Sequence, residues 1–410
     1  AISQFCKKFR DKTQNDFNSL PTFHKVSGKY QLMDIDLGGD DTKPAAAGLE
    51  EATSGDVPPS KLPIAVQNLM KLIGNKSEMV KSMKELEIDT NKMPLGKISK
   101  KQIKDAFGFL STIDAEIKKA HPNSTKIQEC SSMFYTLIPH DFGMAVPPSI
   151  RSIEMLKRKM ELLEILSDLE IASKILEETK KGANPLDSSY KGLNCDLNPL
   201  AHSSEEFKRV CDYVRNTHGK THSAYTLTVT EVFEVNRAGE EAKYKAVGAK
   251  IPNKQMLWHG SRSTNYMGIL SQGLRIAPPE APVTGYMFGK GVYYADCSSK
   301  SANYCHASTS SPEGCLLLCE VAMGATTNLT AAKYMDKPIG GTDSTTGLGK
   351  MRPDPKGAQT VDGVEWPMGK VGDSGTSATT LLYPEYIVYN TSQQRMRYMV
   401  RVRFNYGKKY

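Results

Sequence analysis

Between Met256 and His306 the chain reads MLWHGSRSTNYMGILSQGLRIAPPEAPVTGYMFGKGVYYADCSSKSANYCH. Residues able to do chemistry are spaced along it: His259-Gly260-Ser261, a Gly-Lys-Gly followed by Tyr293 and Tyr294, and Ser301-x-x-Tyr304. A lone carboxylate, Glu385, stands far downstream in YPEYIVY. These are the pieces from which one active site could be assembled. Gly260 has no side chain, so a ligand can approach its backbone N–H and C=O. A tyrosine ring stacked on a flat ligand adds about 0.5–1.5 kcal/mol beyond burial. Side chains alternate along a strand, so Tyr293 and Tyr294 face opposite ways. Glu385 precedes the β-rich YIVY, where a charge is costly unless exposed or paired. Taken singly, each has a plainer reading: a turn glycine, a surface serine, a core aromatic, a core histidine beside Trp258.

The elements that must position these groups come from a chain of 410 residues, a length that suggests two to three domains. Its 39% apolar and 24% charged residues suit a soluble protein with a sizeable core. No uncharged apolar run is long enough to span a membrane, and AISQFCKKFRDK lacks the apolar core of a signal peptide. Eight cysteines without export signals read as reduced thiols of cytosol or nucleus. Cys315 and Cys319 lie in the strand-like GCLLLCEV without a matching second pair, so they read as buried thiols and no metal is expected. The net charge of +8 agrees with a polyanionic partner without demonstrating one. Acidic and basic residues alternate along the helical segments, the pattern of a solvated surface.

Starting at Ala1, residues 1–36 read as the tail of a domain cut short: aromatic-rich, broken by Pro21 and Gly28, and ending in a strand, GKYQLMDIDL. Residues 37–61 are Gly, Ala, Pro and acid, a flexible linker. Residues 62–182 carry helical spacing, seen in Ile103, Phe107, Leu110, Ile113 and Ile117 and again in Ile153, Leu156, Met160 and Leu163. Ser99 with Gln102 has the form of a capping box, and Gly182 with Pro185 closes a long helix over 150–181. Five or six helices and no convincing strand make this an all-α bundle. Asp141-Phe142-Gly143 lacks every companion motif of a kinase and reads as a turn. Neither GxGxxG nor a P-loop occurs. From 183 to 410, after one helix over 203–216, strands dominate: TLTVTEVFEVNR, KGVYYAD, GCLLLCEVAMG, EYIVYN and RMRYMVRVRF. The last alternates Met396, Tyr398, Val400, Val402 and Phe404 with four arginines, as for a strand with one buried and one wet face. Residues 325–380, rich in Gly, Ser, Thr, Pro and Asp, read as surface loops.

Residues 63–410 resemble the poly(ADP-ribose) polymerases. The blocks KMPLGKISKKQI and FYTLIPHDFGM resemble the family's regulatory helical domain. NTHGKTHSAY, LWHGSR, GILSQGLRIAPPEAPVTGYMFGKGVYYAD, SKSANYCH, GLGK and EYIVYN resemble its catalytic domain, in the same order. QFCKKFRDKT…GKYQLMDIDL resembles the end of its Trp-Gly-Arg domain, without the Trp-Gly-Arg residues themselves, which points to the shorter, DNA-dependent members. The resemblance implies an all-α helical bundle followed by an α+β ADP-ribosyltransferase domain of two packed, mainly antiparallel sheets. It implies NAD⁺ as the substrate and no metal.

Carried over residue by residue, the family's pattern puts the nicotinamide carboxamide on the backbone of Gly260 and the hydroxyl of Ser301. It stacks the nicotinamide ring on Tyr304, with Tyr293 as the opposite wall. His259 takes a ribose hydroxyl at the adenosine end, and Ser261 and Arg275 help to hold the adenosine and pyrophosphate half beneath a lip formed by residues 276–290. Glu385 binds the 2′-hydroxyl of the nicotinamide ribose, steadies the cationic transition state and polarises the acceptor. His259, Tyr293 and Glu385 together mark the polymer-forming branch. Met287 lines the acceptor side; Lys300 reads equally as an acceptor-side residue or as a solvated lysine. The resemblance also implies a nuclear location in the DNA damage response. It implies protein acceptors that include the chain itself and histones, damaged DNA sensed through an upstream domain, an accessory protein that completes the acceptor site, and no membrane. The helices would restrain NAD⁺ access until DNA is engaged. A mono-ADP-ribosyltransferase and a catalytically silent binding module remain as alternatives.

Overall fold

The computed structural model describes residues 2–24, 26, 28–30, 32, 57–178 and 183–407. Two units make up the chain, 1–42 and 43–410. In the first, α1 (Ile2–Thr13) and a 3₁₀ turn (Phe17–Thr22) enclose a small aromatic cluster. Phe17 meets Phe5 and Phe9 edge-on, at 4.9 and 5.3 Å between ring centroids. Of the strand expected over GKYQLMDIDL, residues 28–30 and 32 are in turn and irregular structure, and its other residues, with residues 37–56 of the expected linker, lie outside the described residues.

The second unit opens on a helical part: α2 (Ile64–Ile73), α3 (Lys76–Glu85), α4 (Lys100–Ile117), α5 (Ser124–Leu137) and α6 (Ile153–Glu177). Five helices over 62–177 agree with the spacing read from the sequence. The sequence DFGMAV forms the turn between α5 and α6. Ser99 does stand at the N-cap of α4, but its side chain accepts no capping bond and Gln102 is buried, so the capping box does not form. The core of α6 extends well beyond one stripe: Leu162, Leu163, Ile165, Leu166 and Leu169 are all buried. The helix is wedged between α4 and the catalytic part, so neighbours demand apolar residues on more than one face. Pro185 starts a helix rather than ending one. It opens α7 (Pro185–Gly192), where its missing N–H is no loss, behind an N-cap at Asn184 that accepts from Leu186 N. The last residues of the expected linker are pinned there too: Lys61 N donates to Asp187 at 3.0 Å and Asn184 to Pro58 O at 2.9 Å.

The catalytic part is built on two sheets and a ribbon. It contains β1 (Cys195–Pro199), α8 (Glu205–Asn216), β2 (Tyr225–Arg237), α9 (Glu240–Ala246), β3 (Lys254–Gly260), α10 (Tyr266–Gln272), β4 (Val292–Tyr294) and α11 (Ser298–Ala302). After these come β5 (Glu313–Ala322), β6 (Thr326–Leu329), β7 (Ser344–Gly347), β8 (Met351–Pro353), β9 (Gln359–Val361), β10 (Val364–Trp366), β11 (Val371–Asp373), β12 (Glu385–Val388) and β13 (Gln394–Tyr406). The large sheet runs β1-β2-β13-β5-β3-β10-β9, the small one β4-β12-β7-β6, and β11 pairs with β8. Pairing is antiparallel except at β3–β10 and β6–β7.

Six strands thus lie in the stretch expected to be surface loops. Serine and threonine give no apolar alternation, yet β7 (STTG) is buried throughout, held by hydroxyl bonds such as Ser344 Oγ to Met323 O at 2.6 Å. The face of β13 expected to be wet is largely covered. Arg395 and Arg397 pair with the buried Glu320 at 2.7 and 2.9 Å, and Arg401 with Glu313 at 2.6 Å. The opposite face joins a core with Trp258, Leu316, Leu318 and Tyr213. Cys315 and Cys319 are buried free thiols in that sheet. The two sheets meet where Trp258 N donates to Ala295 O at 2.8 Å and Ala295 N returns to Trp258 O at 2.9 Å. That bridge brings the end of β3 against β4.

Candidate active site

The site grows from this junction. His259, the penultimate residue of β3, donates from Nδ1 to the carbonyl of Tyr293 on β4 at 2.9 Å. A carbonyl can only accept, so this bond places the proton on Nδ1 and leaves Nε2 as an acceptor. Burial lowers the His259 pKa, so the ring stays neutral. Gly260 follows, and α11 presses on it: a Cβ there would lie 1.8 Å from Ser301 O. No other residue fits. Ser301 is buried and donates its hydroxyl proton to Trp258 O at 3.1 Å, so its oxygen keeps its lone pairs for an incoming N–H.

Alternation on β4 divides the two tyrosines as expected. Tyr294 is buried, whereas the half-buried Tyr293 ring is fixed by its hydroxyl, which donates to Gly289 O at 2.7 Å and accepts from Phe288 N at 3.0 Å. Tyr304, in the 3₁₀ turn after α11, is 55% exposed, an open aromatic face. Glu385 begins β12, which pairs with β4. Its carboxylate binds Lys300 Nζ at 3.1 Å, and both side chains are nearly buried. The same ammonium donates to Tyr383 O and Pro384 O at 2.9 Å each. Lys300 is therefore not a solvated lysine: all three of its donors hold the turn that presents Glu385. Burial pulls its pKa down and the Glu385 charge opposes that. Burial pushes the Tyr293 phenol up and the charge of Glu385 adds to it; the same charge acts on the phenol of the more exposed Tyr304, so the carboxylate lies within electrostatic reach of both rings.

His259, Gly260, Tyr293, Lys300, Ser301, Tyr304 and Glu385 are thus gathered at one place. The other expected residues sit around it. Ser261 accepts from Asn265 at 3.0 Å, and Met287 lies in the lip with its carbonyl accepting from Lys333 N at 3.0 Å. Arg275 is bound to Asp168 of α6 and donates to Ser167 at 3.2 Å. The lip is docked on helices as well: Thr284 bonds Asp114, Tyr286 bonds Glu164, and Lys104 reaches Glu280 at 3.1 Å. Farther along, Glu85 pairs with Arg262 at 3.0 Å, Glu78 accepts from Ser311 at 3.2 Å, and Glu161 stands 3.8 Å from His306. Six helical carboxylates therefore latch onto the catalytic part. Sequence reasoning missed them because mixed charge along a helix reads as a solvated face; their signal would have been a partner, which only folding supplies.

A slot with one fixed and one open phenol ring, a side-chain-free glycine beside a serine oxygen with lone pairs to spare, and a lysine-held carboxylate suits the departure of a flat, amide-bearing ring from a sugar, leaving positive charge behind. A regulatory helical part latched over such a catalytic part defines the class, and comparison with known proteins agrees. Residues 60–190 match the poly(ADP-ribose) polymerase regulatory domain, and residues 204–404 match the poly(ADP-ribose) polymerase catalytic domain. The chain is 45% identical over 411 residues to poly [ADP-ribose] polymerase 1 of Xenopus laevis, covering 99% of this chain and 40% of that protein. It is 44% identical over 408 residues to poly [ADP-ribose] polymerase 2 of Homo sapiens, covering 98% and 69%. Against poly [ADP-ribose] polymerase 2 of Arabidopsis thaliana it is 44% identical over 413 residues, covering 99% and 64%. The chain belongs to the poly(ADP-ribose) polymerase family. It spans about two fifths of the length of its polymerase 1 relatives.

Proposed function

We propose that this chain is an NAD⁺-dependent poly(ADP-ribose) polymerase. It breaks the bond between nicotinamide and ribose C1′, releases neutral nicotinamide, and transfers ADP-ribose to a nucleophilic group of a protein, then to the growing polymer. Tyr304 and Tyr293 sandwich the nicotinamide, while the Gly260 backbone and the Ser301 oxygen orient its carboxamide. Each such bond is worth about 1 kcal/mol net. Neutral His259 accepts from a ribose hydroxyl at the adenosine end through Nε2. Glu385 accepts the 2′-hydroxyl of the nicotinamide ribose, steadies the cation that grows at C1′, and takes the proton of the incoming acceptor hydroxyl. The leaving group departs neutral, so no general acid is required. What supports this most is the Glu385–Lys300 pair at 3.1 Å within reach of both phenols.

The helical part restrains the reaction in this reading. Arg275, which would grip the pyrophosphate and adenosine half, is bound to Asp168, so substrate must displace a carboxylate from it. Loosening of the helices by an upstream DNA-binding module is a population shift from a closed to an open cleft. We place the activity in the nucleus, in the response to DNA damage, with the chain itself among its acceptors. The test is a time course with labelled NAD⁺, with and without nicked DNA, resolved by product size. A ladder of polymers is expected. Single-unit products alone would indicate mono-transfer, and no nicotinamide release would indicate a silent binding module.

A further inference from the structure

The Lys300–Glu385 pair is held from behind by one short segment. Lys300 rides on α11, five residues of which three are serines. Residues at and beyond the C-terminal end of α8 take hold of two of them. Ser298 N donates to Thr217 Oγ1 at 3.1 Å, and Ser298 Oγ to Val214 O at 2.8 Å. Ser299 is fully buried, and its oxygen accepts from Gly219 N at 2.7 Å and lies 2.7 Å from His222 Nδ1. With one lone pair of Ser299 Oγ already used, both groups are satisfied when the serine proton is donated to a neutral His222. The same segment grips the other half of the pair. Thr221 Oγ1 is 2.7 Å from Tyr383 Oη, and the His222 ring lies 5.0 Å from the Tyr383 ring. Tyr383 is buried two residues before Glu385, and its carbonyl is one of the three acceptors of Lys300. On the far side Gly349 leaves room for this turn: a Cβ there would lie 2.4 Å from Pro384 N.

We infer that the segment Thr217–His222 is a positioning element for the Lys300–Glu385 pair, acting through His222 within it and through Tyr383, which it grips, as positioning residues. Through Ser299 it sets the lysine, and through Tyr383 the carboxylate, so the two meet at a fixed place beside the phenol slot. Neither residue touches substrate. This rests on the reading of Glu385 as the group that steadies the sugar cation.

The experiment uses the full chain and measures nicotinamide release, NAD⁺ KM, benzamide affinity and Tm. Tyr383→Phe keeps the ring and removes only the bond to Thr221. It should lower kcat by about 10- to 100-fold, the scale of a catalytic group misplaced by up to an ångström. KM, benzamide affinity and Tm should stay within about twofold or a degree or so, because the nicotinamide pocket is untouched. His222→Ala should lower kcat and also weaken benzamide, since Ser301 rides on the same helix. His222→Asn should restore both, because its amide oxygen can accept from Ser299 where Nδ1 did. Unchanged kcat in Tyr383→Phe and His222→Ala overturns the inference, as does a loss that tracks Tm and is not restored by His222→Asn. Wild-type kcat in Glu385→Gln would instead sink the reading of Glu385, so the two failures are distinct.

Discussion

Arg275 of the catalytic part is bound to Asp168 of α6. The residue proposed above to hold the anionic half of NAD⁺ is thus occupied by an anion of the protein itself. A hydrogen bond to a charged group contributes about 1.5–3 kcal/mol, and a tenfold change in population needs about 1.4 kcal/mol. Asp168→Ala should therefore raise DNA-independent nicotinamide release by roughly tenfold. Deleting the helical residues up to 181 should raise it further. Basal turnover unchanged in both proteins would remove the helices from control of the cleft.

The latch should also respond to pH. Burial at the seam pushes the Asp168 carboxyl up to about 6, with Arg275 opposing the shift. Glu164, whose side chain still meets solvent, moves the same way, up to about 7. A carboxyl whose pKa is higher when docked than when free binds protons more tightly in the docked state. Docking is therefore strengthened as pH falls from about 7 through 6 and loses that contribution above. Hydrogen exchange across residues 160–172, corrected for its intrinsic pH dependence, should slow between pH 8 and 6. Asp168→Asn alone should weaken the lower end of the profile, and Asp168→Asn with Glu164→Gln should flatten it.

Glu385→Gln keeps the shape of the side chain and removes its charge. Chain elongation should fall by about 10²–10³-fold, the scale of losing one preorganised electrostatic group, leaving a little single-unit transfer or NAD⁺ hydrolysis. Polymer of wild-type length from this variant would take Glu385 out of the mechanism.

Ser301→Ala should weaken nicotinamide and benzamide by about 5- to 10-fold, one hydrogen bond's worth, and leave adenosine fragments nearly unaffected. Competition binding with ADP-ribose and benzamide in parallel separates the two. Equal losses would mean that Ser301 supports the whole cleft rather than the carboxamide.

Glu320 tests the sheet rather than the site. It is 3% exposed and binds Arg395, Arg397 and the hydroxyl of Tyr244. Removing one member of a buried charge cluster costs about 3–5 kcal/mol, so Glu320→Ala should lower Tm by many degrees in a thermal melt.

Much of the fold could be read in advance because its strands are written in β-branched and apolar residues. The runs of β2, β5 and β13 were plain for that reason. The strands between 326 and 373 were not, because β7 is buried through serine and threonine hydroxyl bonds rather than apolar side chains. Pro185 misled because a proline closes one helix and opens the next with equal ease; Asn184 before it was the better guide. At the site, residue type alone favoured plainer readings; the resemblance carried by LWHGSR, GKGVYYAD, SKSANYCH and EYIVYN is what singled out His259, Gly260, Tyr293, Ser301, Tyr304 and Glu385. Lys300 stayed ambiguous because its three acceptors lie some 83 to 85 positions away in the chain. The carboxylates of α3, α4 and α6 were invisible because nothing in a helix's own sequence says which of its charges faces another domain.

The chain enters the bundle and leaves it at one spot, where Pro58 and Lys61 are tied to Asn184 and Asp187. The five helices are therefore joined to the catalytic framework through one neck, and are held to it elsewhere by the noncovalent latches of their carboxylates and by packing of α6. A displacement of the chain at Pro58 meets that knot before it meets α2. Both sheets are paired wholly among strands downstream of that neck, so release of the latches would leave every strand with its neighbours.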